Sequence, residues 1–454
     1  MDKQKSLYYF ENAPIPKAVA HFGVPMMVTM LVSIVYNLVD TAFVGMMKDP
    51  AALTATILAM PVFLITNGIG QIFGLGCGSY ISRLLGKKDY ERIKRVSSFA
   101  LYGAVVTGTA AIALGFVFLD PIVRILGTSE YTFEPTKQYF SILLGGGLTS
   151  ILGFSMNMII RAEGGAKVSM TGNIIGTAAN IILDPVFIFT FGMGVRGAAI
   201  ATVIANAMAL SFYIWHIVKK SSFLSLVPAD CKVDAEMLTS VFSIGFPSFC
   251  MKALYVAGFV VQNNVAAAFG DIYIVAFGLI VKVTALPKQL CQGLCMGVQP
   301  LVGYTGAAGA FPRMKETVKK TLLYATLLGF VFAISYCIAG GSLLRLFINN
   351  AEIIAIGTPF LRIAVISYLA YGTMYMTTTL FQATGRAVPA SAVSLVQETV
   401  FIPMMLAGTA VMGADGFAWA IPAGDVTAML IGLILHKVYR NKLYAGEKAE
   451  VAQR

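Results

Sequence analysis

"FGVPMMVTMLVSIVYNLVDTAFVGM", residues 22–46, runs through 25 positions with a single charge, Asp40. At about 1.5 Å of helical rise per residue it is long enough to cross ~30 Å of hydrocarbon. An acidic residue at the centre of such a helix costs roughly 2.5–3.5 kcal/mol even on lenient insertion scales, so Asp40 needs either a partner or a use. The rest of the chain has the same character. Of its 454 residues 57% are hydrophobic and 12% charged, about half the charged share of a soluble domain, and the mean hydropathy is +0.77. Too little polar sequence remains for a separate soluble domain.

Apolar runs between turn and charge clusters predict twelve spans, near 19–46, 51–81, 95–118, 137–161, 168–190, 196–218, 238–268, 273–303, 318–341, 357–383, 389–411 and 415–438. The first is too long for a signal segment and lacks an Ala-x-Ala exit, so it is expected to stay. The loops on one face, with the N-terminus and the tail, hold 24 of the 33 Lys and Arg residues, which predicts cytoplasmic termini in a cell-membrane protein. That bias also accounts for the net charge of +11, so nucleic acid is not expected as a partner. The cysteines (Cys77, Cys231, Cys250, Cys291, Cys295, Cys337) lie mostly in apolar segments and read as packing residues, and His21, His216 and His436 sit singly at span ends. Neither set has the spacing of a metal site.

The second half repeats the first at an offset near 220 residues: Gly23-x-Pro25 answers to Gly245-x-Pro247, Pro61 to Pro287, "RAEGGAK" (161–167) to "QATGRAV" (382–388), and "GVRGAAIA" (194–201) to "GADGFAWA" (413–420). Six spans per repeat, an even number, insert both halves in the same sense, with a pseudo-two-fold axis along the membrane normal. The expected fold is all-α and membrane-integral. It has twelve transmembrane helices in two six-helix bundles, 1–220 and 237–440, joined by a cytoplasmic linker at 221–236 and followed by a tail at 441–454. Such bodies are usual for carriers that rock about a central site.

Four acidic residues fall inside spans: Asp40, Asp184, Glu398 and Asp425. Counting from span ends puts Asp40, Asp184 and Thr202 at a common depth of roughly 8–9 Å below the outer surface, with Asn180 one turn below Asp184. Two carboxylates, an amide oxygen and a hydroxyl suit a small hard cation such as Na⁺, or a carboxylate pair sharing a proton. Alternatively Asp184-Pro185 kinks its span and Asp40 pairs with a donor. In the second half Lys252, Lys282, Glu398 and Asp425 fall near mid-span, as a structural charge network or a charged lining of a substrate cavity. Lys288 and Arg362 are the other basic residues within spans.

The first helix, "GLCMGVQPLVGYTGA" (293–307), and "ANIILDPVFIF" with "GVRGAAIAT" together resemble the multidrug and toxic compound extrusion (MATE) transporters over essentially the whole chain. The resemblance implies a V of two six-helix bundles and export of organic, mostly cationic compounds against inward Na⁺ or H⁺. It also implies a first-bundle cation site at Asp40, Asn180, Asp184 and Thr202. One branch of that family uses carboxylates on helices 7 and 10. Here span 7 carries Lys252, and span 10 carries Arg362 and no acid, which turns attention to the first bundle. No cofactor, no enzymatic activity and a monomer are expected, with small organic substrates, Na⁺ or H⁺ and the bilayer as partners. The competing reading is a flippase for a lipid-linked or amphipathic metabolite, which needs a more cationic cavity. No nucleotide-binding loop is present.

Overall fold

A computed structural model of the chain describes residues 3–444 apart from 48, 50–53, 57, 59, 127, 346 and 349. Residues 445–454, most of the expected tail, lie outside that set, as does part of the start of the second expected span. Helices dominate, and no β-strand occurs among the described residues. In chain order they are α1 (Lys3–Glu11), α2 (Ile15–Met46), α3 (Met60–Gly86), α4 (Tyr90–Val117), α5 (Leu119–Ile125), α6 (Glu130–Gly145), α7 (Gly147–Ala162), α8 (Ala166–Pro185) and α9 (Val195–Lys220). The second half continues with α10 (Ala235–Ala267), α11 (Asp271–Ala307), α12 (Phe311–Arg345), α13 (Ala351–Ala364), α14 (Ile366–Ala383), α15 (Ala387–Met412) and α16 (Ala414–Leu443).

Among the described residues eight helices are long and apolar enough to cross a membrane. Two bent pairs raise the number to ten: α6 with α7, bent by 47°, and α13 with α14, bent by 42°. The helices α3 and α11 occupy the two remaining expected positions. Each repeat therefore breaks its fourth span. In the first the break falls in the Gly145–Gly147 run, where glycine weakens the helix.

The repeat motifs have a backbone cause. Gly194 (φ 54°, ψ −133°) and Gly413 (φ 62°, ψ −138°) cap α9 and α16 in nearly the same conformation, one that a side chain rarely permits. Three residues on, Gly197 lies against the Phe187 backbone and Gly416 against that of Gly408. Each "G-x-x-G" thus makes a sharp turn and then a close approach to the preceding segment.

By contact the chain forms two compact units, Val28–Lys252 with Met1–Tyr8, and Tyr9–Met27 with Ala253–Arg454. A division at the 221–236 loop does not anticipate this. The first part of α2 belongs to the second unit and the first part of α10 to the first, and the change falls shortly after Pro25 and Pro247, where the helical ladder already lacks a hydrogen bond. In the first unit Val44, Val123, Phe140, Ile188 and Ala198 share a buried cluster. In the second, Phe277, Phe360, Tyr368, Met405 and Phe417 do so. Within the second unit Arg313 holds α1, its guanidinium donating to the carbonyls of Phe10 (2.6 Å) and Ala13 (2.7 Å).

The joining loop is fastened to α4. Ser98 Oγ donates to Ser225 O at 3.0 Å, Tyr102 to Leu226 O at 2.9 Å, and Arg92 reaches Asp234 (3.1 Å) and Glu236 (2.8 Å). The Met237 backbone N–H and Arg92 hold the Asp234 carboxyl below its usual range.

"RAEGGAK" folds as the turn between α7 and α8 and buries Glu163, whose Oε2 accepts from Ser221 Oγ at 2.6 Å while His216 Nε2 stands 3.8 Å from Oε1. Burial pushes the Glu163 carboxyl up from 4.5 to about 7, against the opposing Ser221 hydrogen bond. Between those values the native state holds a proton that the unfolded chain has released, so this site's contribution to stability rises as pH falls from 8 to 6. Glu163→Gln, neutral throughout, is expected to remove that part of the pH dependence, and melting curves of the purified protein at the two pH values check it.

Candidate functional site

Pro185 has no N–H to return to the carbonyl one turn back, and the helix does not continue as an α-helix beyond it. Residues Val186–Thr190 form a wider π-helical turn, a feature common where side chains must be re-aimed. Asp184 is the last residue before that break and is fully buried, and Asn180, one turn earlier on the same face, is buried with it. Thr202, on the second turn of α9, completes the group.

The amide nitrogen of Asn180 is committed twice, to Asp184 Oδ1 at 3.2 Å and to Thr202 Oγ1 at 3.4 Å. The Thr202 hydroxyl donates in turn to Ala198 O at 3.0 Å. These bonds use up the donors and leave acceptors. Asn180 Oδ1 and Asp184 Oδ2 are buried with no hydrogen-bond partner among the described residues. Asp40, half-buried on α2, is close enough for its charge to act on Asp184. Tyr36, one turn before Asp40, faces Thr202, and the buried Tyr139 of α6 lies within range of Tyr36 and both carboxylates. All of these residues belong to the first unit.

The four residues grouped by depth thus stand on three helices around one polar spot, and the structure adds Tyr36 and Tyr139. A signal for Tyr36 exists in its i, i+4 spacing to Asp40. For Tyr139 there is only its depth near the outer end of span 4. Unsatisfied oxygens cost about 1–3 kcal/mol each when buried, and an all-oxygen set with orphaned lone pairs is what a hard cation or a shared proton would complete.

The second-half charges are arranged differently from the expected four. Asp425 is buried and accepts from Gln397 Nε2 at 2.7 Å. The basic residue facing it is Lys288, which also lies in the field of Glu398, Tyr255 and Tyr375. Lys282 is exposed, and Lys252 is the last residue of the first unit. Depth placed Lys282 near the acids, but six residues of helix set it about 9 Å along α11 and about 120° around it from Lys288.

A model of the MatE family matches residues 25–186 and again 247–407, the same model twice, at the offset of the repeat. The chain belongs to the MatE family. Multidrug export protein MepA of Staphylococcus aureus strain MSSA476 is 34% identical over 441 residues, covering 97% of this chain and 98% of that protein. MepA of Staphylococcus saprophyticus is 31% identical over 451 residues, covering 99% and 100%. Among solved structures, an outward-facing multidrug resistance MATE family transporter of the MOP superfamily superimposes with a TM-score of 0.91 at 22% identity, covering 98% of this chain and 99% of its own. This MatE protein therefore has the transporter fold, and its relatives are membrane transporters.

Proposed function

We propose that the protein is a secondary active multidrug exporter of the cell membrane, moving small organic, mostly cationic compounds outward in exchange for inward Na⁺ or H⁺. The chain acts as a monomer with both termini in the cytoplasm. Its coupling site is Asp40, Asn180, Asp184 and Thr202, with Tyr36 and Tyr139 at its edge. The observation that carries this reading is the pair of buried, partnerless oxygens on Asn180 and Asp184, four residues apart and under the charge of Asp40. The likeness to MepA, a multidrug export protein, at 34% identity over nearly the whole chain supports the substrate class.

Each net positive charge moved inward is worth about 2.3 kcal/mol per 100 mV, enough for more than a tenfold gradient, whereas a one-for-one exchange with a singly charged substrate moves no net charge and draws on the concentration gradient of the Na⁺ or H⁺. The coupling ion is found by loading proteoliposomes with substrate and imposing Na⁺ and pH gradients separately. One gradient is expected to drive wild-type efflux and neither to drive efflux by Asp40→Asn. Equal efflux by the two proteins would overturn the assignment. A flippase of lipid-linked metabolites would call for a cavity rich in unneutralised lysine, whereas Lys288 is faced by Asp425 and Glu398.

A further inference from the structure

The second unit carries an open groove of about 380 Å³, whose lining includes Ala20, Val24 and Met27 of α2, Leu294 of α11, and Tyr324 and Leu328 of α12. It shares no residue with the coupling site or with the Lys288 cluster. The tyrosine hydroxyl is the one polar group among these six side chains. Glycine brings the first two helices together. A Cβ on Gly23 would stand 2.5 Å from Leu294 Cδ1, and one on Gly297 would stand 2.5 Å from the Phe22 carbonyl oxygen, so α2 and α11 run in close contact and α12 supplies the far wall. Val24 is 50% exposed, and Leu323 and Leu327, beside the α12 wall, are 48% and 51% exposed. An open slot this apolar, on helices long enough to span a bilayer, is solvated by lipid chains and not by water.

Polarity changes in order along the groove. Lys17 on α2 stands seven residues, two helical turns, before Val24, and Lys320 on α12 stands one turn before Tyr324. Both helices start at the basic face, so the two lysines flank the same end of the slot. Neither makes a salt bridge or a hydrogen bond among the described residues. The other charges nearby are committed: Arg313 donates to the carbonyls that end α1, and Glu316, one turn before Lys320, acts on Arg313. The half-buried Tyr324 hydroxyl, one turn further in, also has no hydrogen-bond partner among the described residues. Two free ammoniums, then a free phenol, then apolar walls repeat the order of phosphate, ester and hydrocarbon in a phospholipid.

We propose that this groove is a binding site for one phospholipid of net negative charge. The acyl chain lies along Val24, Leu294 and Leu328, an ester carbonyl accepts from Tyr324, and the phosphate rests between Lys17 and Lys320. An apolar slot alone would take any lipid, and the paired lysines make it choose the anionic headgroup. The lipid also completes the packing of one particular segment, because the groove follows α2 up to Met27, where the part of α2 that groups with the second unit ends. The site is independent of the exporter reading, since it requires neither a transported substrate nor a coupling ion.

The test titrates radiolabelled phosphatidylglycerol and phosphatidylcholine of identical chains into the full-length protein in a neutral detergent. The wild type is expected to hold phosphatidylglycerol about tenfold more tightly, and Lys17→Gln combined with Lys320→Gln to cut that preference to about twofold or less. Lys219→Gln combined with Lys437→Gln removes the same charge from exposed positions outside the groove and should leave the preference within about twofold of wild type. Ala20→Trp, which fills the slot from an exposed position, is expected to weaken both lipids at least about fivefold. Excess inorganic phosphate should displace neither lipid, because the chain supplies much of the affinity. A wild type without headgroup preference, a control pair that lowers the preference as much as the groove pair, full binding by Ala20→Trp, or displacement by phosphate alone would overturn the proposal. Should Ala20→Trp fail to give monodisperse protein, Val24→Trp takes its place under the same criterion. A failure of the exporter reading would appear in the efflux assay of Asp40→Asn and leave these lipid affinities untouched.

Discussion

Asp184→Asn is expected to abolish ion-driven efflux, at least about tenfold below wild type, while the protein stays folded. The exchange keeps shape and volume but removes the fully buried negative charge that the Asn180 and Thr202 contacts surround. A neutral amide cannot take up and release a proton, and it lowers the site's charge from two carboxylates to one, which weakens attraction for any hard cation. Folding should not suffer, because a buried amide costs less than a buried carboxylate. The measurement is efflux from proteoliposomes under the driving gradient, paired with the melting temperature in detergent. Full efflux in the variant would remove Asp184 from the coupling machinery. Thr202→Ala, which takes away a single neutral oxygen, should cost only about 1 kcal/mol of site affinity.

Gly416→Ala is expected to have the largest effect on stability. The added methyl would stand 1.9 Å from the Gly408 carbonyl oxygen and 2.1 Å from its carbon, both backbone atoms that cannot rotate away. The helices α15 and α16 would have to separate, and overpacking of this kind costs typically 1–3 kcal/mol and more where neither side can yield. We expect a loss of about 3 kcal/mol or more, read as a lowered melting temperature and a poor yield of monodisperse protein. Gly45→Ala is the control. Nothing lies within 4 Å of its Cβ position, on the last turns of α2, and alanine is worth roughly 0.5–1 kcal/mol over glycine in a helix. Equal behaviour of the two variants would contradict the close-approach account of the repeat motif.

Depth is legible in the sequence, because helical rise converts a residue count into ångströms. That conversion is enough to bring Asp40, Asn180, Asp184 and Thr202 together. Azimuth is not legible, and an approximate depth is not enough without it. Lys282 and Lys288 lie six residues apart on α11, about 9 Å of rise and about 120° of turn, and Lys288 is the one that faces Asp425, a choice set by tertiary packing. The bend after Gly145 has a glycine signal, whereas the equivalent break at Val365, between Arg362 and Ser367, has no glycine to mark it. Hydropathy also carries no information on which neighbours a helix half will touch, so the exchange of the early parts of α2 and α10 is invisible to it even though Pro25 and Pro247 stand at equivalent positions. The N-terminal stretch, read from the sequence only as part of the basic face, forms α1 and is tied down by Arg313 through carbonyls that no side-chain pattern advertises.

That exchange bears on how the protein is made. Residues 9–27 are synthesised before the residues from Ala253 onward with which they group, so their final packing waits until the ribosome has produced more than half of the chain. A messenger cut between the repeats would yield a first half without a home for its leading segment and with part of its own core missing. Assembly of the two halves is thereby an obligatory late event, and residues 9–27 reach their final neighbours only then.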